Sequence, residues 1–117
     1  MVRVKTNIYN IMETAEYYIE RGSGKIELKD YKGAIEDFTK AIELNPKNDL
    51  AYGNRGTVKR ELKDYNSAIE DFNIAIELNP TYASAYDSRG NAKRKLQDYD
   101  GAAEDFNKAI ELNPEDD

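Results

Sequence analysis

The chain has 117 residues, 39% of them hydrophobic and 34% charged, with a formal net charge of −6 and a pI near 4.8, the profile of one well-solvated domain with a thin core. Phosphate recognition needs clustered positive charge, so this acidic balance argues against nucleic acid as a partner. There is no Cys and no His, which removes thiol nucleophiles, imidazole bases, disulfides and most zinc or transition-metal sites.

Residues 1–14 read as an N-terminal extension. Val2-Arg3-Val4-Lys5 alternates and never reaches the apolar run of a signal peptide. No stretch approaches the length of a membrane span, so the expected location is cytoplasmic. Ile8, Ile11, Met12, Ala15 and Ile19 keep helical spacing, which predicts a first helix beginning near Asn7. Such an extension would cap its own array or lie on a neighbour.

From Ala15 the chain repeats itself. The strings LKDYKGAIEDFTKAIELNP, LKDYNSAIEDFNIAIELNP and LQDYDGAAEDFNKAIELNP end at Pro46, Pro80 and Pro114, with a period of 34 residues. This divides the domain into repeats at 15–48, 49–82 and 83–117, the last including the acidic tail Glu115-Asp116-Asp117, read as a solubilising end. Each repeat reads as two amphipathic helices, the first carried by Tyr52, Gly56, Val58 and Leu62 in the second repeat. Ala68, Ile69, Phe72, Ala75, Ile76 and Leu78 carry its second helix. Asp30, Asp64 and Asp98 stand where a side chain can accept from the free N–H groups opening the second helices. Those helices are predicted to stop at Asn45, Asn79 and Asn113, which tolerate the left-handed conformation, before a Pro that cannot continue them. Gly22, Gly56 and Gly90 each cost about 1 kcal/mol in a helix interior, so packing must explain them. The expectation is that each faces Ala34, Ala68 or Ala102 of its partner helix while Phe38, Phe72 or Phe106 fills the space alongside.

The series Tyr18-Gly22-Ala34-Phe38-Ala41-Pro46 recurs at Tyr52-Gly56-Ala68-Phe72-Ala75-Pro80 and Tyr86-Gly90-Ala102-Phe106-Ala109-Pro114, and resembles the tetratricopeptide repeat family over 15–117. The resemblance implies an all-α fold of antiparallel helix pairs stacked in a right-handed superhelix. It also implies a concave groove, lined mainly by the first helices, that receives a peptide or a partner's helix. Two departures matter. Arg21, Arg55 and Arg89 stand where the family usually has Leu, Lys25, Lys59 and Lys93 where it has Tyr, and Asp37, Asp71 and Asp105 where it often has an aromatic. The charges are complementary, which predicts an Arg–Asp pair inside each repeat; the alternative is ordinary solvated charge on both. The array also lacks the polar-faced final helix that usually covers the last repeat, which leaves Ile110 and Leu112 without an expected cover. Ala103 and Lys108 reduce that apolar exposure, and the expectation is either a fragment of a longer array or end-on self-association through Ala103, Ile110 and Leu112.

The groove slots implied by the resemblance fall on Ile19, Glu20, Ser23, Ile26 and Glu27, then Asn54, Thr57, Arg60 and Glu61, then Asp87, Ser88, Asn91, Arg94 and Lys95. The branch of the family that binds chaperone tails clamps a C-terminal carboxylate with Lys, Asn and Arg. Here those slots hold Ile19, Ser23, Asn54, Ser84 and Ser88, and of these Asn54 alone agrees, so that activity is not expected. Arg60 and Arg94 with Asn54 and Asn91 suit an acidic or polar peptide, and they fit solvated side chains equally well. Adjacent carboxylates such as Glu70-Asp71 point about 100° apart on a helix and cannot flank one bond, so they read as scaffold rather than acid–base pairs. Asp98-Tyr99-Asp100-Gly101 lacks the spacing of a calcium loop. A polypeptide-binding scaffold with no cofactor and no catalysis is the expected function. The alternative is a repeat array, natural or engineered, that mainly self-associates.

Overall fold

In the computed structural model, which describes residues 14–114, the described residues form six helices and no strand. They are α1 (Ala15–Glu27), α2 (Tyr31–Leu44), α3 (Asp49–Glu61), α4 (Tyr65–Leu78), α5 (Ala83–Lys95) and α6 (Tyr99–Leu112). Thr14 is extended and its hydroxyl accepts from the Tyr17 N–H, so the helix that carries Tyr18 and Ile19 begins at Ala15, and the expected start near Asn7 lies outside the described residues. The segment holding Ile8, Ile11 and Met12 lies outside the described residues, as does the acidic tail.

Within each repeat the two helices pack on one another, and the second helix then packs on the first helix of the next repeat. First helices of neighbouring repeats also touch, whereas second helices do not. The stack therefore curves with α1, α3 and α5 on the inner side. The junctions are made of small residues around one large ring. Ala34 and Phe38 of α2 enclose Val58 of α3, and Ala68, Phe72 and Ala75 of α4 enclose Ala85 of α5, with Tyr52, Ile76 and Tyr82 packed alongside.

The helical glycines answer to the aromatic ring and not to the facing Ala. A Cβ on Gly22 would meet Phe38 at 2.8 Å, and one on Gly56 would meet Phe72 at 2.8 Å. For Gly90 the ring of Phe106 comes first at 2.8 Å, with the Ala102 carbonyl at 3.2 Å. Ala34, Ala68 and Ala102 are small for a different reason: each is buried where helices converge.

Two turn expectations need correction. Asn45, Asn79 and Asn113 are not left-handed, with φ of −144°, −142° and −142°. Their side chains close turns instead: the amide oxygens of Asn45 and Asn79 accept from the backbone N–H of Lys47 and Thr81, both at 3.2 Å. The left-handed residues are Lys29, Lys63 and Gln97, at φ of 62°, 66° and 69°, just beyond the first helices. There the N–H of Asp30 reaches the Lys25 carbonyl and that of Lys29 reaches Ile26, both at 2.8 Å, a double closure repeated in the other two turns. Caps also differ between repeats. Asp30 and Asp98 accept from the N–H of Gly33 and Gly101, both at 3.0 Å, but Asp64 makes no such bond. A Cβ at Gly33 or Gly101 would collide with the capping carboxylate, its Cγ 2.9 Å away, and the second repeat carries Ser67 at that position.

Candidate functional site

Three carboxylates, Asp37, Asp71 and Asp105, are buried at 2%, 2% and 3% exposure, and a buried charge survives only when it is paired. Each lies one helix away from an arginine whose planar fork matches it. Arg55 donates from Nε and Nη2 to the two oxygens of Asp71, both at 2.8 Å, and Lys59 Nζ approaches the same carboxylate at 3.0 Å. Arg21 with Lys25 on Asp37, and Arg89 with Lys93 on Asp105, repeat the arrangement. The expected Arg–Asp pairs are therefore present, and the lysines complete them as triads. Each arginine also lies over a tyrosine ring of its own helix, 5.3 Å from Tyr18, 5.7 Å from Tyr52 and 5.5 Å from Tyr86.

The remaining guanidinium edge reaches backwards. Arg55 Nη1 donates to the Thr39 hydroxyl at 3.2 Å and Arg89 Nη1 to the Asn73 carbonyl oxygen at 2.8 Å, so the second and third triads are each tied to the second helix of the preceding repeat, whereas Arg21 Nη1 turns to the Tyr17 hydroxyl of its own helix at 3.5 Å. Hydrogen bonds to Asp71 and Asp105 raise the pKa of Arg55 and Arg89 against the opposing effect of burial. Burial would raise the Asp37 carboxyl, but hydrogen bonds from Arg21 and Lys25 overcome it and hold the group below its ordinary value. These triads are saturated and leave no acid, base or nucleophile free, so they serve as scaffold. Their partner glutamates, Glu36, Glu70 and Glu104, are all exposed. Among the described residues no group of three or more acidic side chains could hold a metal ion. Asp98 caps α6, its side chain accepting from the Gly101 N–H.

The groove slots form a different class of position. Glu20, Glu27, Glu61, Asp87, Arg94 and Lys95 are exposed, whereas Ser23, Asn54, Thr57, Arg60, Ser88 and Asn91 are half-buried. Ile19 and Ile26 also pack against the core clusters of the first junction, so they serve the fold as well as the surface. Thr57 returns its hydroxyl to the Gly53 carbonyl at 3.0 Å and Asn91 its amide to the Asp87 carbonyl at 3.3 Å, bonds within their own helices. Arg60, Glu61, Asn91, Arg94 and Lys95 come together around one cleft, which Lys63 and Tyr65 of the following turn complete. The cleft was only partly legible, because Lys63 and Tyr65 belong to a turn and helix that face outward in the repeat pattern.

At the C-terminal end a second cleft lies between α5 and α6, lined by Ala83, Ser84, Asp87, Ala109, Ile110 and Asn113. The corresponding place one repeat earlier receives Tyr82, which abuts Gly53. Burial, and then the nearby Asp49 charge, raise the Tyr82 pKa. Ile110 is 63% exposed, Ala103 is exposed and Leu112 is half-buried.

An inner surface of varied polar side chains on a frame of repeated packing residues defines a helical-repeat interaction module. The family model for the tetratricopeptide repeat matches residues 15–48, 50–82 and 83–116, and the chain belongs to that family. Its repeats make it a protein–protein interaction scaffold of the all-α solenoid kind. Among solved structures, the first TPR of Spaghetti (RPAP3) bound to HSP90 peptide SRMEEVD is 32% identical with a TM-score of 0.85, covering 87% of this chain and 81% of that one. The second TPR of the same protein, bound to the same peptide, is 30% identical with a TM-score of 0.84, covering 90% and 96%. The Arabidopsis OM64 TPR domain is 33% identical with a TM-score of 0.87, covering 90% and 87%. No curated protein gives a match. Among the described residues no helix is long and apolar enough to cross a membrane.

Proposed function

We propose that the chain holds a segment of another polypeptide along the inner side of the stack and acts by holding it, not by converting it. The observation that carries this reading is the contrast between two sets of positions. The packing slots typified by Tyr52, Gly56, Ala68, Phe72 and Ala75 recur unchanged every 34 residues, while the inner slots change, as in Ser23, Thr57 and Asn91 or Ile26, Arg60 and Arg94. A frame held constant beneath a varied, partly polar surface is suited to selective docking. The likeness to two domains whose structures hold an HSP90 peptide supports the same mode of use. The occupant differs, because the slots that would clamp a terminal carboxylate hold Ile19, Ser23, Ser84 and Ser88 beside Asn54. The peptide SRMEEVD is expected to bind poorly.

Selection from a displayed peptide library tests the reading. Peptides recovered by the native chain should be lost by a variant carrying Asn54→Ala, Thr57→Ala and Asn91→Ala with an unchanged melting temperature. Equal recovery by both would discard the inner groove as the docking surface.

A second reading is end-on self-association, and the 63% exposure of Ile110 beside Ala103 and Leu112 favours it. Sedimentation should then show concentration-dependent oligomers that Ile110→Ser disperses. A monomer across the accessible concentration range would remove this reading.

A further inference from the structure

The arginines fall into two groups. Arg21, Arg55 and Arg89 are each spent on a buried aspartate. Arg60 and Arg94 are not: Arg60 meets the exposed Glu61 at 3.3 Å, and Arg94 meets Asn91 at 3.4 Å. Contacts of that length at an exposed edge are readily exchanged for a better acceptor. Both arginines line the cleft of about 260 Å³ between the C-terminal ends of α3 and α5, together with Lys63 and Lys95. Among the described residues neither of these lysines forms an ion pair. Four cations stand against Glu61, the one carboxylate in the lining, on a chain whose formal net charge is −6.

This positive island belongs to one junction. A shift of 34 residues back replaces Arg60 by Ile26, Lys63 by Lys29, Arg94 by Arg60 and Lys95 by Glu61, while Glu27 stands in for Glu61. The corresponding junction between the first two repeats therefore carries balanced charge. The charge of the inner surface changes along its length, balanced at the junction of the first two repeats and cationic at the junction of the second and third.

We propose that the Arg60–Arg94 cleft takes the carboxylate side chains of consecutive Asp or Glu residues, so that the acidic stretch of a bound peptide lies across the second and third repeats; this rests on the groove reading above. Two guanidinium forks donate bidentate hydrogen bonds to carboxylates, and the two lysines supply diffuse attraction at the rim. A nucleic acid fits less well. Its evenly spaced phosphates need a continuous basic track, whereas Glu20 and Glu27 of α1 and Asp87 of α5 interrupt the groove positions with negative charge.

The test uses fluorescence anisotropy with a Glu-rich peptide, its Gln-substituted counterpart, a C-terminally amidated Glu-rich peptide and a single-stranded oligonucleotide of equal charge. The native chain should prefer the Glu-rich peptide to the Gln peptide by about tenfold or more. R60Q/R94Q, at a half-buried and an exposed position outside the core clusters, should abolish that preference without lowering the melting temperature, and K63Q/K95Q should weaken it less. Amidation should alter affinity by less than about twofold, since no terminal carboxylate is being read. Equal binding of Glu and Gln peptides would overturn the proposal while leaving the groove reading intact. No binding of the Glu-rich peptide, a strong effect of amidation, or tighter binding of the oligonucleotide would each overturn it as well. Library selection with the Asn54, Thr57 and Asn91 variant then judges the groove reading separately.

Discussion

Phe72 and Phe106 occupy the same slot one repeat apart, each against the glycine of its own helix pair, yet Phe72 is 1% exposed and Phe106 is half-buried. Ile76 packs into the core while Ile110, its counterpart, is 63% exposed. The local sequence around these pairs is nearly identical, so the difference comes from the neighbour: α5 lies over α4, and no described helix lies over α6. Burial in this fold belongs to junctions between repeats, and a hairpin on its own completes only part of its core.

The largest test of that contrast is truncation of the two rings. Phe72→Ala removes a fully enclosed ring from a packed junction and should cost about 3–5 kcal/mol, close to the whole stability of a small domain. Phe106→Ala removes a ring with one open side and should cost about 1–2 kcal/mol less, because the site can relax toward solvent. Urea denaturation of both variants measures the difference. Equal losses would mean that the end of the array is as well packed as its middle.

The triads give a second, smaller contrast. Arg55 and Lys59 are 18% and 19% exposed beside Asp71, while Arg21 is 46% exposed beside Asp37. Asp71→Ala strands two nearly desolvated cations and should cost about 3 kcal/mol, and Asp37→Ala about half of that. A double-mutant cycle on Arg55 and Asp71 should show coupling above about 1 kcal/mol; coupling of a few tenths would return the pair to the status of surface charge. Acid titration adds the sign. The folded Asp37 carboxyl titrates below its ordinary value of 3.8, so its contribution is present above that pH and is lost as pH falls through the folded value. Asp37→Ala should flatten this acid limb of the stability curve.

Periodicity carried the fold because every packing slot repeats with the same spacing, and complementary charge at Arg55 and Asp71 was readable from the joint departure of both from the family pattern. The positions that misled were those where one residue type has two uses. Asn at a helix end can turn left-handed or close an Asx-type turn, and Asn45 and Asn79 do the latter. A helical Gly can admit a facing backbone or a ring, and only the placement of Phe38 and Phe72 decides for the ring. The basic cleft escaped a repeat-by-repeat reading because it exists between repeats, with Lys63 supplied by a turn and Arg94 by the next unit.

The smallest effect should be blind to position, which is what makes it informative. Lys63 and Gln97 hold φ of 66° and 69°, a left-handed conformation that costs a residue with a Cβ about 1–2 kcal/mol relative to its preferred basins. Glycine relieves that strain but adds freedom to the unfolded chain, so Lys63→Gly and Gln97→Gly should each stabilise by about 0.5–1 kcal/mol net. Both turns close through the same pair of backbone bonds, Asp64 to Lys59 with Lys63 to Arg60, and Asp98 to Lys93 with Gln97 to Arg94, and both residues are exposed. A strain confined to one residue does not sense whether another repeat follows, so the two gains should agree within the error of thermal denaturation. A gain at Lys63 alone would mean that the turns too depend on their neighbours, and the division between local and junction energies drawn from Phe72 and Phe106 would have to be abandoned.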